Sequence, residues 1–302
     1  MNSRINRREF IQLAAFGGLV YASGILAAGP ANGKATDSTL PSDDYYFVQL
    51  SDTHWGFDGP LNPDSRGTLP KAIAAVNALS VKPDFVVFTG DLTHLTLNQK
   101  ERRTRMDQFR EVVSKLNVRD VKFLPGEHDA SADHGEAFQE FFGPTHYRFD
   151  HKGIHFVVID NVSDPNGAIG EAQLSWLANE LAQLPKEEPL VVLTHRPLFD
   201  LYPQWGWSTL DGSRAIELLM PFSKVTVFYG HIHQEHRQMT EHIAHYAAKS
   251  LIFPMPAPGS APDHKPLPWD ATQPYRGLGW REIEAEPKQA KFDIRELAVQ
   301  SG

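Results

Sequence analysis

The stretch Tyr45-Tyr46-Phe47-Val48-Gln49-Leu50-Ser51-Asp52-Thr53-His54 decides the fold. Its apolar first half reads as a buried strand, and its polar second half places a carboxylate and an imidazole just past the strand's carboxyl end. The pattern returns four times. Asp84 to Thr89 leads into Gly90-Asp91, and Val121 to Leu124 into Gly126-Glu127-His128-Asp129. Leu190 to Thr194 leads into His195, and Val225 to Tyr229 into Gly230-His231-Ile232-His233. Between these strands, Leu69 to Leu79 behind Pro70, Lys100 to Leu116, Glu171 to Leu184 and Ser213 to Met220 have helical spacing. The alternation predicts an α/β fold with parallel strands and two βαβ units. Tyr147 to Asp150 and Ile154 to Asp160 read as a hairpin around His151-Lys152-Gly153. Glu235 to Leu251 and Gly279 to Leu297 read as more β than α. Pro254 to Gly277, dense in Pro and Gly, reads as a long ordered surface loop.

In open α/β sheets, ligands bind beyond the carboxyl ends of the strands, so the five clusters are expected to converge. Asp52 with His54, and His231 with His233, stand two residues apart. In extended chain that spacing puts both side chains of a pair on one face, where they can grip one ion. A lone Asp-x-His triplet says little, whereas five such clusters, each behind an apolar strand, describe a metal site.

The chain has 302 residues and no Cys, which excludes disulfides, thiolate zinc sites, iron–sulfur clusters and a phosphocysteine route. Any metal must therefore be held by nitrogen and oxygen. No Walker-type phosphate loop is present. The formal charge is −8, and residues 1–30 carry Arg4, Arg7 and Arg8 against Glu9, so the remainder is more acidic still. That balance argues against a general nucleic-acid or anionic-lipid scaffold.

The first 35 residues read as an export signal and linker ahead of a single domain over 40–302. Three arginines precede the apolar stretch Phe10 to Ala28, and Asn6-Arg7-Arg8-Glu9-Phe10-Ile11 resembles a twin-arginine signal. Phe10 to Ala28 approaches the length of a membrane span, but its glycines and Gln12 weaken an anchor reading. The expectation is recognition of this signal by the export machinery, cleavage between Ala28 and Ala35, no stable anchor, and a periplasmic or extracellular product.

The ordered series Asp52-x-His54, Gly90-Asp91, Gly126-Glu127-His128-Asp129, His195, Gly230-His231-x-His233 resembles the calcineurin-like metallophosphoesterase family, over most of the chain after residue 45. The resemblance implies a two-sheet, βαβ-rich sandwich flanked by helices in four layers. It also implies two metal ions, Fe, Mn or Zn, and hydrolysis of phosphate mono- or diesters by attack of a metal-bound hydroxide. Carried over, Asp52, His54 and His233 would bind one ion, His195 and His231 the other, and Asp91 would bridge them. His128 would give a proton to the leaving oxygen, and Asp129 would orient it. The modest length and Gly230-His231-Ile232-His233-Gln234 favour the cyclic-nucleotide phosphodiesterase-like branch, with a small phosphate ester as substrate.

Independent chemistry agrees with that assignment. Phosphate-ester hydrolysis needs a polarised phosphoryl oxygen, a nucleophile at neutral pH and a proton for the leaving group. Two close metals supply the first two, and imidazole, which titrates near neutrality, supplies the third.

One position departs from the family, whose third motif usually reads Gly-Asn-His-Asp or Gly-Asn-His-Glu with Asn as a neutral ligand. Glu127 stands there, which lowers the site charge with two divalent ions from about +2 to about +1. An Fe3+ at that position would restore it, since a hard carboxylate suits such an ion. The alternative is a metal-binding or interaction scaffold of the same fold that no longer hydrolyses esters. His94 stands where purple acid phosphatases hold a Tyr ligand, which argues against that branch, and reads as a hydrogen-bonded loop residue with lining of the substrate cleft as the alternative. Trp55, Phe57, Trp205 and Trp207 read as loop packing with base stacking as the alternative, and Arg196 as a phosphate contact or a surface ion pair. His134, His146, His151, His236, His242, His245 and His264 read as solvated.

Overall fold

A computed structural model describes residues 45–286 and 291–300; the export segment expected over 1–35 lies outside them. The described residues form two mixed sheets. The first has the order β11-β10-β1-β2-β3 and the second β4-β5-β6-β7-β9-β8. The strands are β1 (Tyr45–Leu50), β2 (Phe85–Thr89), β3 (Val121–Leu124), β4 (Tyr147–His151), β5 (Ile154–Val158), β6 (Leu190–Leu193), β7 (Val225–Tyr229), β8 (His236–Thr240), β9 (Ile243–Ala247), β10 (Gly279–Glu286) and β11 (Lys291–Ala298). The helices are α1 (Ser65–Asn77), α2 (Gln99–Val113), α3 (Glu127–Ala130), α4 (Glu136–Phe142), α5 (Glu171–Ala182) and α6 (Gly212–Leu219). Among the described residues no helix is long and apolar enough to cross a membrane.

The two-residue period of β1 explains the layering. Tyr46, Val48 and Leu50 point to α1, α2 and α4 through Leu69, Ile73, Met106, Phe109 and Phe138. Tyr45 and Phe47 point the other way and meet Phe156, Val158, Leu193 and Phe228 of the second sheet. On that sheet's far face, Val157, Val192 and Val227 bury Leu174 and Leu177 of α5 and Ala215 and Leu219 of α6. The result is helices, sheet, sheet, helices. Strands covered on both faces need apolar residues throughout, which is why they read as continuous runs.

Two local differences have clear causes. The first helix begins at Ser65 with Pro70 inside it, not behind a first-turn proline. Its opening turn closes on Asp64, whose carbonyl accepts from the Thr68 amide at 3.2 Å and the Thr68 hydroxyl at 3.1 Å, so four residues precede the predicted start. The short α3 was not expected. It starts where Asp129 Oδ2 accepts the Gly126 amide at 3.0 Å, a side chain closing a turn that apolar periodicity cannot show.

Both sheets aim the carboxyl ends of their parallel strands at one place. β1, β2 and β3 run parallel in the first sheet, as do β5, β6 and β7 in the second. Gln49 Nε2 ties these ends together, donating to Thr89 Oγ1 at 2.9 Å and to the Tyr229 carbonyl across the sandwich at 3.2 Å.

Candidate metal centre

The side chains converge because the backbone turns sharply after each strand. Asp52, His54, Asp91, His231 and His233 have φ of 53°, 42°, 48°, 65° and 54°, five of the eight non-glycine residues in that left-handed region among the described residues. Such backbone costs on the order of 1–3 kcal/mol per residue and persists only where surrounding contacts fix it. Here they do. The Asp52 amide donates to the Gly90 carbonyl at 3.1 Å and the His54 amide to the Asp91 carbonyl at 2.9 Å. The expected one-face pairing in extended chain is thus corrected: Asp52-x-His54 and His231-x-His233 lie past their strands, their turns aim them, and His231 and His233 fall in different ligand groups instead of gripping one ion. At Gly126 a Cβ would lie 2.1 Å from Asp91 Oδ1, so only glycine lets the loop after β3 approach.

Two groups of side chains face each other. Asp52, His54, Asp91 and His233 place one ligand atom each within 4.8 Å of one another, and so do Glu127, His195 and His231. Asp91 Oδ2 lies between them, 3.4 Å from His54 Nε2 and 3.5 Å from His195 Nε2. His233 Nε2 is 3.3 Å from Asp52 Oδ1. Glu127 spans His195 Nε2 at 2.9 Å and His231 Nδ1 at 2.8 Å. All are buried except Glu127, which is 22% exposed and marks the open side.

Backbone carbonyls hold the outer nitrogen of three imidazoles. His195 Nδ1 donates to the Thr89 carbonyl at 2.7 Å, His231 Nε2 to that of Gly206 at 3.1 Å, and His233 Nδ1 to that of Phe253 at 2.8 Å. In the neutral ring each bond keeps the hydrogen on the outer nitrogen and the lone pair on the nitrogen facing the carboxylates, the arrangement of a metal ligand. With its hydrogen on Nδ1, His54 donates to His94 Nδ1, 3.2 Å away, and keeps its lone pair on Nε2. Burial, helped by His128 and Arg105, holds the His94 pKa down to about 4.

The residues fit metal ions. Glu127 Oε2 and His195 Nε2 are buried without a hydrogen-bond partner, although they face each other. Burial opposes charge on Glu127, but the His231 and His195 imidazoles outweigh it and hold its pKa well below the usual range. Burial likewise opposes a protonated His195, yet Asp91 and Glu127 hold its pKa well above the usual value. Three carboxylates closed in among imidazoles demand positive charge, and an all nitrogen-and-oxygen donor set suits Fe, Mn or Zn.

The motif after β3 behaves differently from what the resemblance implied. Asp129 accepts the Leu92, Thr93 and Gly126 amides at 2.9, 2.8 and 3.0 Å, and the Thr93 hydroxyl at 2.9 Å. It staples the loops after β2 and β3 and makes no bond to the His128 ring. That ring takes the Leu95 amide on Nδ1 at 3.0 Å, so its neutral form carries hydrogen on Nε2.

His94 joins the site beside His54 and His128, with ring centroids 5.4 and 4.9 Å away. Its only sequence signal was its place three residues after Asp91. Phe253 was missed: it stacks on His54 and His233 at 5.7 and 5.1 Å, and no motif announces it. Trp205 and Trp207 are buried in a satellite cluster, which supports loop packing. His134 and His264 are exposed as expected, but His245 is corrected. It is fully buried in β9, where the interior of the second sheet holds it against Phe199.

The calcineurin-like phosphoesterase family pattern matches residues 45–235. The chain is 30% identical over 200 residues to a probable glycerophosphodiester phosphodiesterase of Arcobacter nitrofigilis, covering 62% of this chain and 71% of that one. It is 27% identical to a probable cyclic nucleotide phosphodiesterase of Rhodopseudomonas palustris, over 73% and 85% of the two chains. It is also 27% identical to the 3',5'-cyclic adenosine monophosphate phosphodiesterase of Escherichia coli, over 62% and 69%. Among solved structures, a purple acid phosphatase from yellow lupin superposes with TM-score 0.61 at 15% identity, over 85% of this chain and 52% of that one. A dimetal phosphatase from Danio rerio superposes with TM-score 0.53 at 13% identity, over 85% and 99%.

Proposed function

The chain belongs to the calcineurin-like phosphoesterase family, and from that premise we propose that it is an exported, dinuclear metal-dependent hydrolase of phosphate mono- or diesters. The relatives named as phosphodiesterases favour diesters. The observation that carries the reading is Asp91 Oδ2, set between two groups whose lone pairs face inward. That arrangement also favours hydrolysis over the scaffold alternative.

In this reading Asp52, His54 and His233 would hold one ion, Glu127, His195 and His231 the other, and Asp91 would serve both. The ions supply Lewis-acid polarisation of the phosphoryl oxygen and activation of water at neutral pH. The protein's own part is orientation and proton handling. Thr89, Gly206 and Phe253 lock three imidazoles through their carbonyls, so the donor set is built before any ion arrives. Asp129 keeps the loop bearing His128 against the loop bearing Asp91, and the Asp91 Oδ1 accepts the His128 amide at 2.9 Å. With Leu95 on its Nδ1, His128 offers its Nε2 hydrogen to the leaving oxygen. The test is chelation: stripping metal should abolish diester turnover and re-adding Mn2+, Zn2+ or iron should restore it. Turnover that survives stripping would refute the reading.

Export is the second part. If Asn6-Arg7-Arg8-Glu9-Phe10-Ile11 is a twin-arginine signal, replacing Arg7 and Arg8 by Lys should trap the protein in the cytoplasm, because that machinery reads paired guanidinium groups. Unchanged yield outside the cytoplasm in a fractionation experiment would refute that route.

A further inference from the structure

Arg196 directly follows the ligand candidate His195, and its guanidinium is held beside Glu127. Asn161 clamps the Arg196 main chain, donating to its carbonyl at 2.9 Å and accepting its amide at 3.3 Å, and is itself anchored on Thr209 Oγ1 at 2.7 Å. The side chain then lies along Gly167, where a Cβ would stand 2.3 Å from Nη1. Gly167 has φ +74°, so the bare backbone there both turns the chain and makes room for the guanidinium. From this berth Nε reaches to 3.7 Å from Glu127 Oε2, too long for a hydrogen bond. Nε is buried with no hydrogen-bond partner. Burying an unpaired donor of a charged group is costly, so a guanidinium left short of a partner beside the candidate metal centre is poised for an anionic ligand.

The charge of the centre says which ligand. Asp52, Asp91 and Glu127 carry −3 between them, so two divalent ions leave about +1 for an anionic phosphoryl group. Arg196 raises that by one on the open side, where Glu127 is partly exposed. A guanidinium presents five N–H donors in a planar fork that matches phosphate oxygens bidentately, which a lysine cannot reproduce.

We propose that Arg196 is the protein's own phosphate receptor: it offsets the charge of Glu127 and donates to the non-bridging oxygens of the bound phosphoryl group. The inference rests on the metallophosphoesterase reading. It assigns Arg196 a specificity-determining role and Gly167 the role of keeping its berth open.

The experiment measures binding of inorganic phosphate to the metal-loaded protein by calorimetry, with metal content determined on the same samples. Arg196→Gln should keep its metals and bind phosphate tenfold or more weakly, because a charge-assisted contact is lost. Arg196→Lys should fall between that variant and wild type, and it supplies the comparison should the glutamine variant fold poorly. In turnover of a small diester, the loss should appear in KM more than in kcat if ground state and transition state use the contact alike. Phosphate affinity within threefold of wild type at full metal content would overturn the proposal. A parallel loss of metal and phosphate would overturn it too, since Arg196 would then be a structural support. Wild-type protein that takes up metals but no phosphate would instead defeat the phosphoesterase reading itself.

Discussion

Asp91→Asn should empty both halves of the metal centre and lower diester hydrolysis by roughly 10³-fold or more, the equivalent of losing several kcal/mol of charge stabilisation. The geometry makes this substitution unlike its neighbours. Asp91 Oδ2 is within 3.5 Å of an inward-facing nitrogen from each group, whereas Asp52 Oδ1 lies 3.3 Å from His233 but 4.0 Å from His195. Asp52→Asn should therefore mainly lower one occupancy. Elemental analysis of the two variants separates the cases. A full metal complement in Asp91→Asn, with activity within tenfold of wild type, would show that this carboxylate joins nothing.

His128→Ala should discriminate between leaving groups. Diesters of alkyl alcohols leave as basic alkoxides and need a proton, so they should lose roughly 10²-fold to 10⁴-fold in rate. Activated aryl diesters, whose phenolate leaves unaided, should lose less than about tenfold. The ring is well placed to deliver that proton, because it stacks edge-on to His54 with centroids 4.4 Å apart and the Leu95 amide fixes its orientation. If His128 only propped up the centre, both substrates would slow together. Equal losses at matched metal content would remove His128 from the proton transfer.

Much of this was legible in the chain because the buried strands leave a simple trace. Phe85 to Thr89 and Val225 to Tyr229 are covered on both faces, so nearly every position had to be apolar, and the polar residues that follow stand out. The order of strands was less accessible. β9 inserts between β7 and β8, and β10 returns to pair antiparallel with β1, both long-range pairings that no local pattern encodes. At the centre, side chains could be read and backbone could not. The Thr89, Gly206 and Phe253 carbonyls that lock the imidazoles belong to residues whose identities carry no metal-binding signal. The left-handed turns at Asp52 and His231 were equally silent, since Asp and His tolerate that region without advertising it as glycine does. Asp129 illustrates the limit: its place beside His128 suggested a side-chain partner, yet its oxygens are taken by the Leu92, Thr93 and Gly126 amides.

Two ions sharing Asp91 are the core of the proposed mechanism. Anomalous scattering from crystals of protein purified from its own host, collected at the absorption edges of iron, manganese and zinc, measures this directly. Two peaks are expected, roughly 3.5–4 Å apart as in other two-metal sites. One should lie among Asp52, His54 and His233, the other among Glu127, His195 and His231, with the Asp91 carboxylate touching both. A single peak, or ions bound away from these seven side chains in fully folded protein, would contradict the shared-carboxylate centre.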